Sequence, residues 1–464
     1  DANNAFGIGT LGVNTTGSAN CAFGNFTLAA NTTASSNSGF GHNALAANTT
    51  GTQNVAVGAL ALDANTTASD NTALGYNTLG ANTTGAGNVA VGSLCLDANS
   101  TGAGNVGLGN GALGANTTAS NNTGIGHLAL VSNTTGASNV AVGSQALDAN
   151  TTASFNVAVG FAALSATTTG ELNVAIGTSA LFNNTTASEN TALGHESLFN
   201  NTTGSKNTGL GRHALFANTT GAFNTAVGSS SQVNVTTGSQ NVSVGGGAMA
   251  TATTGINNTS MGFNSMLNLT TGSNNTAVGV QSAFALTTGG VNTIIGLNAG
   301  FSLTTGSNNV LLGASAGTNN SPVHVTTQSN QVCLGDNNIT DLFCKVSTIQ
   351  TSDIRDKTDI DDFKHGLSWI TKLRPVTYRW DMRTNYEDGK PDGSKKESRL
   401  NLGFIAQEVL EIEKEHGFAS EKDLMLIVNE NSSGNYGMKY ERIVPILVKA
   451  VQELSEKVTA LEAG

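Results

Sequence analysis

The hydrophobic and polar positions of this chain follow a 17-residue period from its first residues onward. One asparagine recurs at every seventeenth position from Asn3 to Asn309, and a glycine follows it four residues later each time, from Gly7 to Gly313. The interval never changes, so residues 3–308 comprise 18 complete repeats without an insertion or deletion. Self-similarity at a fixed period indicates a repeat architecture in which each unit packs on its neighbours.

Each repeat contains a short β-type run, such as Val55-Ala56-Val57, between glycine and an Asn-Thr-Thr segment. Gly permits positive φ, and Asn and Thr close turns through side chain to backbone hydrogen bonds. We therefore predict one solenoid coil per repeat, with two short strands and two turns, stacked about 4.8 Å apart. Because side chains alternate along a strand, the two valines and Leu62 are expected to fill the coil interior. The small Ala56 is expected to face the backbone of another chain of a trimer.

The last five repeats depart from this pattern on one wall of the coil. The leucine that precedes Asn-Thr-Thr gives way to Gln232, Met249, Met266, Ala283 and Gly300. Apolar residues appear three places later, at Val235, Ala252, Leu269, Leu286 and Leu303. We expect the core wall to be rebuilt there.

Composition divides the chain into two physically different parts. Residues 1–308 contain two basic and eight acidic residues and no tryptophan, whereas residues 352–464 contain 17 basic and 21 acidic residues and both tryptophans. These differences predict a β-solenoid shaft at 1–313, a neck or linker at 314–351, and a third region at 352–464.

Charge and hydropathy exclude several functional classes. The net charge of −11 argues against a nucleic-acid partner, because such proteins normally carry basic patches. No apolar run of about 20 residues is present, so no membrane insertion is expected. The four cysteines fit no metal-binding spacing, and we expect neither metal nor cofactor. Cys21 and Cys95 are interpreted as small buried hydrophobes, while Cys333 and Cys344 could pair.

Two parts of the sequence resemble known families. The repeats, with their Asn-x-x-Ala-φ-Gly core, resemble the head repeats of trimeric autotransporter adhesins and similar arrays of phage tail fibres. Four blocks near the C-terminus resemble the intramolecular chaperone domain of endosialidase-type tail spikes, which myelin-regulatory-type transcription factors also carry. The blocks are Ser352–Ile360, Leu373–Trp380, Gly403–Val409 and Tyr440–Leu454. No basic DNA-binding domain or membrane helix accompanies them, which disfavours a membrane-tethered transcription factor.

The resemblance implies a homotrimer in which the chaperone folds the preceding fibre and cleaves itself off between Thr351 and Ser352. It assigns Ser352 as the nucleophile and Lys357 as the general base, at most a single-turnover autoprotease, with no turnover activity in the shaft. A lysine can act as a base where burial or a nearby cation lowers its pKa, and Arg355, Ile354 and Ile360 are candidates for that effect. Further motif residues are Asp353, Gly403, Gln407 and Glu408.

The five-residue separation of this pair limits its geometry. Ser352 and Lys357 would share a face neither on a helix nor on a strand. The dyad therefore requires a loop, or a lysine from a neighbouring chain.

The C-terminal segment has the pattern of a coiled-coil helix. Its apolar residues step by four and three, which predicts a trimeric seam. The seam residues are Leu447, Val451, Leu454, Val458 and Leu461. Pro445 fits the first turn of this helix.

These observations predict a mainly β homotrimeric β-solenoid shaft followed by an α+β chaperone domain. We expect a phage or virus tail fibre, located on the virion, that binds a host or prey cell-surface receptor, either a glycan or a surface protein. The alternative is a bacterial surface adhesin with an extracellular location. Phe182, Phe199 and Phe216 occupy one repeat position and form either a surface binding ladder or a packed corner. A polysaccharide-degrading spike is disfavoured because the eight acidic residues of the shaft are scattered.

Overall fold

A computed structural model of the chain describes residues 2–342, 352–383, 386, 389–430 and 434–464. The chain forms two compact units, of which the first ends at Asp336 and the second begins at Asn337. The side chain of Asp356 is not among the described atoms. Cys344 and Thr351, which the sequence analysis singled out, lie outside the described residues.

The first unit is a parallel β-solenoid with one three-residue strand in each coil. Each strand pairs with its neighbour in the next coil in register, as in Val89 with Val106. The described strands of this sheet are β1 (Asn4–Phe6), β2 (Cys21–Phe23), β3 (Ser38–Phe40), β4 (Val55–Val57), β5 (Thr72–Leu74), β6 (Val89–Val91), β7 (Val106–Leu108), β8 (Thr123–Ile125), β9 (Val140–Val142), β10 (Val157–Val159), β11 (Val174–Ile176), β12 (Thr191–Leu193), β13 (Thr208–Leu210), β14 (Thr225–Val227), β15 (Val242–Val244), β16 (Thr259–Met261), β17 (Thr276–Val278), β18 (Thr293–Ile295), β19 (Val310–Leu312) and β20 (Val332–Leu334).

The predicted second strand of each coil is not formed. The leucine segment stacks on the next coil through backbone bonds, such as Leu113 N to Ala129 O at 2.9 Å. However, Leu113 has a φ of 57°, and the equivalent leucines of the other coils are also left-handed. Such residues turn the chain instead of extending it. The wall is therefore a column of hydrogen-bonded turns.

The strands face the opposite way from the prediction. In β4, Ala56 is fully buried while Val55 and Val57 face outward, and Leu62 is buried as predicted. The interior is narrow at the middle strand position, since a Cβ added to Gly107 would lie 2.4 Å from Cys95 Sγ. Alanine is therefore small because it packs inside its own coil, and the expectation that it faces another chain is wrong.

Two columns of buried asparagines line the turns. The first asparagine column runs from Asn3 to Asn309, and each backbone N–H donates to the side-chain oxygen of the preceding coil, as from Asn20 to Asn3 at 2.9 Å. The second asparagine column runs from Asn14 to Asn218 and contains Thr167 in one coil. Buried amides are stable in such ladders because their polar atoms are satisfied.

The core wall is rebuilt toward the end of the solenoid, as predicted. Val235, Leu269, Leu286 and Leu303 are fully buried where the second asparagine column would continue. Their neighbours on the same wall, Met249, Met266 and Ala283, are also fully buried. Where Gly300 replaces the leucine, a larger residue on the strand compensates for the lost volume. Ile294, the middle residue of β18, fills the space beside Gly300.

The last coil is longer than the others. Val310 of β19 pairs with Val332 of β20, an interval of 22 residues in place of 17. The segment predicted as the start of a neck thus contributes one more coil. Cys333 and Cys95 are buried in this unit, but Cys21 is only half-buried because it occupies an outward strand position.

The second unit is a small α+β fold. Its helices are α1 (Leu367–Ile370), α2 (Ala406–Glu415) and α3 (Ile443–Glu462), with 3-10 turns at Ile354–Asp356, Lys422–Leu424 and Tyr440–Arg442. Two hairpins pair β21 (Val376–Tyr378) with β22 (Asn401–Gly403) and β23 (Val428–Glu430) with β24 (Tyr436–Met438). Among the described residues, no helix has the length and apolar character needed to cross a membrane.

The core of this unit surrounds Trp369 and one buried carboxylate. Glu413 on α2 is fully buried, and its oxygens accept hydrogen bonds from the backbone of Leu426, Ile427 and Val428 at 2.7–2.9 Å. This carboxylate fastens the start of β23 to α2, because a buried charge is stable where several donors surround it.

Candidate functional site

Ser352 and Lys357 are in direct contact within one chain. Lys357 Nζ lies 2.6 Å from Ser352 Oγ. A 3-10 turn at Ile354–Asp356 folds the intervening residues back, and Lys357 N donates to Ile354 O at 3.2 Å. Of the two arrangements that the spacing allowed, the chain therefore forms the loop.

The turn has its own cap and ion pair. Asp353 accepts a hydrogen bond from Arg355 N at 2.9 Å, which stabilises the start of the turn as an N-cap does. The guanidinium of Arg355 also pairs with the Asp353 carboxylate, and this lowers the pKa of Asp353. Both motif residues thus position the loop that brings the serine and the lysine together.

The dyad is open to solvent in the single chain. Ser352 and Lys357 are both exposed, and so are the apolar neighbours Ile354 and Ile360. Because Arg355 is paired with Asp353, its charge is partly compensated. The desolvation suggested by the sequence is therefore not supplied by these neighbours within one chain.

Of the other motif residues, Gly403 and Glu408 make contacts that stabilise the fold of the domain. A Cβ on Gly403 would lie 2.5 Å from the Tyr440 hydroxyl, so only glycine fits beside that ring. Glu408 pairs with Arg374 (Nε to Oε2, 3.1 Å), and this hydrogen bond lowers the pKa of Glu408. Gln407 is exposed on α2.

The predicted coiled-coil seam lies on an uncovered face of α3. Ile443, Ile446 and Ala450 are buried against the domain, and Pro445 lies in the first turn. The five seam residues are all exposed: Leu447, Val451, Leu454, Val458 and Leu461. Leu447 also borders an apolar groove of about 310 Å³ that Ile370, Phe404 and Val444 help to line. Helix α3 therefore presents an apolar stripe that none of the described residues covers.

The helix is anchored to the domain by a carboxylate. Glu453 on α3 accepts hydrogen bonds from the backbone N–H groups of Leu367 (2.8 Å) and Gly366 (3.1 Å) at the start of α1. These bonds lower the pKa of Glu453. A Cβ on Gly366 would lie 2.5 Å from Ala450 N, so the two helices approach closely.

A second apolar stripe runs along the solenoid. The third residue of every strand from β1 to β20 faces outward and is apolar; we call this set the outer stripe. Its members are Phe6, Phe23, Phe40, Val57, Leu74, Val91, Leu108, Ile125, Val142, Val159, Ile176, Leu193, Leu210, Val227, Val244, Met261, Val278, Ile295, Leu312 and Leu334. At the usual strand spacing these twenty positions span about 90 Å. The sequence predicts an interior position for such residues, so only the structure reveals this surface.

The three phenylalanines of the predicted binding ladder stack on one another. Ring centroids are 5.2 Å apart for Phe182 and Phe199 and 5.3 Å apart for Phe199 and Phe216. The rings are half-buried. They remain reachable from solvent, so both predicted uses of the ladder stay open.

Comparison with known families identifies the C-terminal domain. Residues 352–418 match the family described as chaperone of endosialidase, and the match begins at Ser352. The chain therefore combines a regular β-solenoid with a later segment that is similar to the endosialidase chaperones. The chain fits a tail fibre with an endosialidase-type chaperone domain, and a domain of this family implies assembly as a homotrimer. No curated protein matches the chain.

Proposed function

We propose that this chain is a homotrimeric fibre of a phage or virus that serves host attachment. Its C-terminal domain assembles three chains and then cleaves itself off between Thr351 and Ser352. The observation that carries the proposal is the 2.6 Å contact of Ser352 with Lys357 at the first residue of the chaperone-family segment. A regular solenoid precedes this segment.

The outer stripe is the surface through which three shafts associate. Every other outward column of the repeat includes polar residues, whereas this one is apolar in all twenty coils. Monomeric proteins rarely expose contiguous apolar patches of more than a few hundred Å². A second and third copy of the same stripe, in the same register, would cover it along its whole length.

Matched triple variants test this surface. Leu108→Arg, Ile125→Arg and Val142→Arg together place three charges in the outer stripe of adjacent coils. The control carries Asn110→Arg, His127→Arg and Ser144→Arg, two residues further along in the same coils, at a column that already holds Arg212. Sedimentation should give trimers for the control and loss of trimers for the stripe variant. Trimers of equal stability in both would contradict the assignment.

The repeats explain why a chaperone is needed. Eighteen coils of near-identical sequence can pair one repeat out of step with little loss of contact, and non-local β pairing forms slowly. The exposed seam of α3 provides a nucleus outside the repeats. Three such helices would fix the register before the shafts close.

Cleavage follows from serine chemistry. Ser352 Oγ attacks the carbonyl carbon of Thr351 while the neutral Lys357 amine takes the hydroxyl proton. Collapse of the resulting tetrahedral intermediate breaks the Thr351–Ser352 amide bond. The proton taken up by Lys357 then passes to the departing Ser352 nitrogen. Water then hydrolyses the resulting ester, giving a Thr351 carboxylate and restoring the hydroxyl. Assembly of three chains would withdraw the exposed dyad from water, which favours the neutral amine and links cleavage to folding.

Three single variants test the dyad. Ser352→Ala and Lys357→Ala should each leave a full-length chain that still forms trimers, whereas Lys364→Ala, another exposed lysine, should cleave normally. Denaturing mass spectrometry should find residues 1–351 and 352–464 as separate products of the unaltered protein. An intact chain after prolonged incubation as a folded trimer would remove the protease role and keep the fibre.

The host-attachment role follows from the class of fibre that the solenoid and the chaperone segment suggest. Labelled trimers should bind candidate host cells, with competition by a surface glycan or by protease treatment that removes the receptor. A bacterial adhesin is the second candidate, because the same solenoid suits either setting. The gene sequence upstream distinguishes the two: a virion-attachment domain supports the fibre and a secretion signal supports the adhesin.

A further inference from the structure

Two histidines and a glutamate converge on one face of the solenoid. His213 Nε2 lies 3.0 Å from Glu196 Oε2, and His195 Nδ1 lies 3.8 Å from the same oxygen. The three ligand atoms all lie within 4.8 Å of one another. The residues come from two adjacent coils, so that chain folding, and not sequence proximity alone, creates the group.

We propose that His195, Glu196 and His213 form a binding site for a divalent transition-metal ion, for which zinc is the natural probe. Two imidazoles and one carboxylate are an established zinc ligand set that leaves a fourth position for water. Tetrahedral ligands at about 2.0–2.1 Å from the ion lie about 3.4 Å from one another. The two separations from Glu196 Oε2, 3.0 Å and 3.8 Å, bracket that value.

The backbone holds these ligands in place. His213 N donates to His195 O at 3.1 Å, and Glu196 N donates to Thr178 O at 3.0 Å, so each coil fixes the next. The His213 ring also packs against Phe216, with centroids 5.4 Å apart. Side chains that neighbours already restrain lose little entropy when they bind an ion.

Exposure and charge also bear on the site. His195 is exposed while Glu196 and His213 are half-buried, so an ion can enter and keep a water ligand. One carboxylate partly neutralises a divalent ion. Arg212 occupies the repeat position of His195 in the next coil, and its positive charge opposes the ion. This opposition predicts that removing Arg212 tightens binding.

Comparison of equivalent repeat positions does not reveal this site, because its two histidines occupy neighbouring columns. His195 shares its repeat position with His42 and His127, which lie several coils away. The second ligand, His213, belongs to the neighbouring column that also contains Glu196. The expectation that the chain has no metal site is therefore revised by this proposal.

Zinc binding to the untagged full chain, measured by equilibrium dialysis, tests the proposal. The unaltered protein should bind one zinc ion per chain more than His213→Ala, and Glu196→Gln should weaken that site at least about tenfold. His127→Ala is the matched control, because it removes a histidine from the same column as His195 and should leave zinc binding unchanged. Arg212→Ala should lower the dissociation constant.

A second readout separates a built site from adventitious binding. Zinc should raise the unfolding temperature of the unaltered shaft and not that of His213→Ala, because a ligand that binds the native state stabilises it. Circular dichroism should show that all variants keep the solenoid. Equal zinc stoichiometry in the unaltered protein and His213→Ala, or an equal loss in His127→Ala, would overturn the proposal.

Discussion

The first asparagine column should contribute more to stability than the second, and Asn122→Ala measures its role. Asn122 Oδ1 accepts the backbone N–H of Asn139 at 2.9 Å, and Asn122 Nδ2 donates to Gly136 O at 2.9 Å. After truncation, Gly136 O keeps its second donor, Asn133 Nδ2 at 2.9 Å. The buried N–H of Asn139 keeps no acceptor.

The magnitude follows from these contacts. An unsatisfied buried donor costs about 1–3 kcal/mol, and one lost hydrogen bond about 1 kcal/mol, so Asn122→Ala should cost about 2–4 kcal/mol locally. In the second column, Asn116 Oδ1 accepts only the side chain of Asn133. Its loss orphans a side-chain oxygen of Asn99 and one side-chain N–H of Asn133, but no backbone N–H. Orphaned oxygens are tolerated better than orphaned N–H groups.

The repeats of this chain already show that the two asparagine columns differ in their tolerance of substitution. The first column has asparagine in every repeat, while the second accepts Thr167 and Val235. The buried Oδ1 atoms of Asn150 and Asn218, which precede those two residues by one coil, have no hydrogen-bond partner. The solenoid therefore already tolerates an orphaned side-chain oxygen of the kind that Asn116→Ala would leave on Asn99.

Hydrogen exchange followed by mass spectrometry measures the effect on assembled protein. Peptides that cover residues 122–140 should exchange about 30- to 700-fold faster in Asn122→Ala, since each 1.4 kcal/mol is about tenfold. Asn116→Ala should have a smaller effect, and Asn110→Ala, at an exposed position, almost none. Equal acceleration in Asn116→Ala and Asn122→Ala would refute the argument that the backbone N–H makes the difference.

Three further predictions concern the second asparagine column, the chaperone and the pH dependence of stability. Thr167→Asn should donate to the unpartnered Asn150 Oδ1 and stabilise the shaft by about 1 kcal/mol, seen as a higher unfolding midpoint; Thr168→Asn, in the adjacent half-buried column, should bring no gain. Deleting residues 352–464 before expression should give aggregated or misaligned chains by sedimentation, and soluble heat-resistant trimers from that deletion would contradict the chaperone role. Hydrogen bonds hold the pKa values of Glu453 and Glu408 below the ordinary 4.5, so their stabilisation of the C-terminal domain is present above that value and lost as pH falls below it. Glu453→Gln should flatten this acid dependence in circular dichroism at varied pH, and an unchanged dependence would exclude the Glu453 contact as a cause.

The sequence by itself determined the repeat, the place of one strand in each coil and the rebuilt wall near the end. Constant spacing favours stacking in register, because equivalent residues then meet in every coil. The apolar spacing of α3 also indicated its seam, and the resemblance to the chaperone family singled out Ser352 and Lys357 as the candidate dyad.

Only the tertiary structure decided which side of the strand is the interior. Val55, Ala56 and Val57 are all apolar, and alternation separates two faces without saying which is buried. The space inside the coil makes the difference. At Gly107, a middle strand position, even an added Cβ would lie only 2.4 Å from Cys95 Sγ on the opposite wall. The larger valines therefore face outward. The same is true of the Ser352–Lys357 contact and of His195 with His213, because a 3-10 turn and the stacking of coils, neither visible in residue spacing, bring these side chains together.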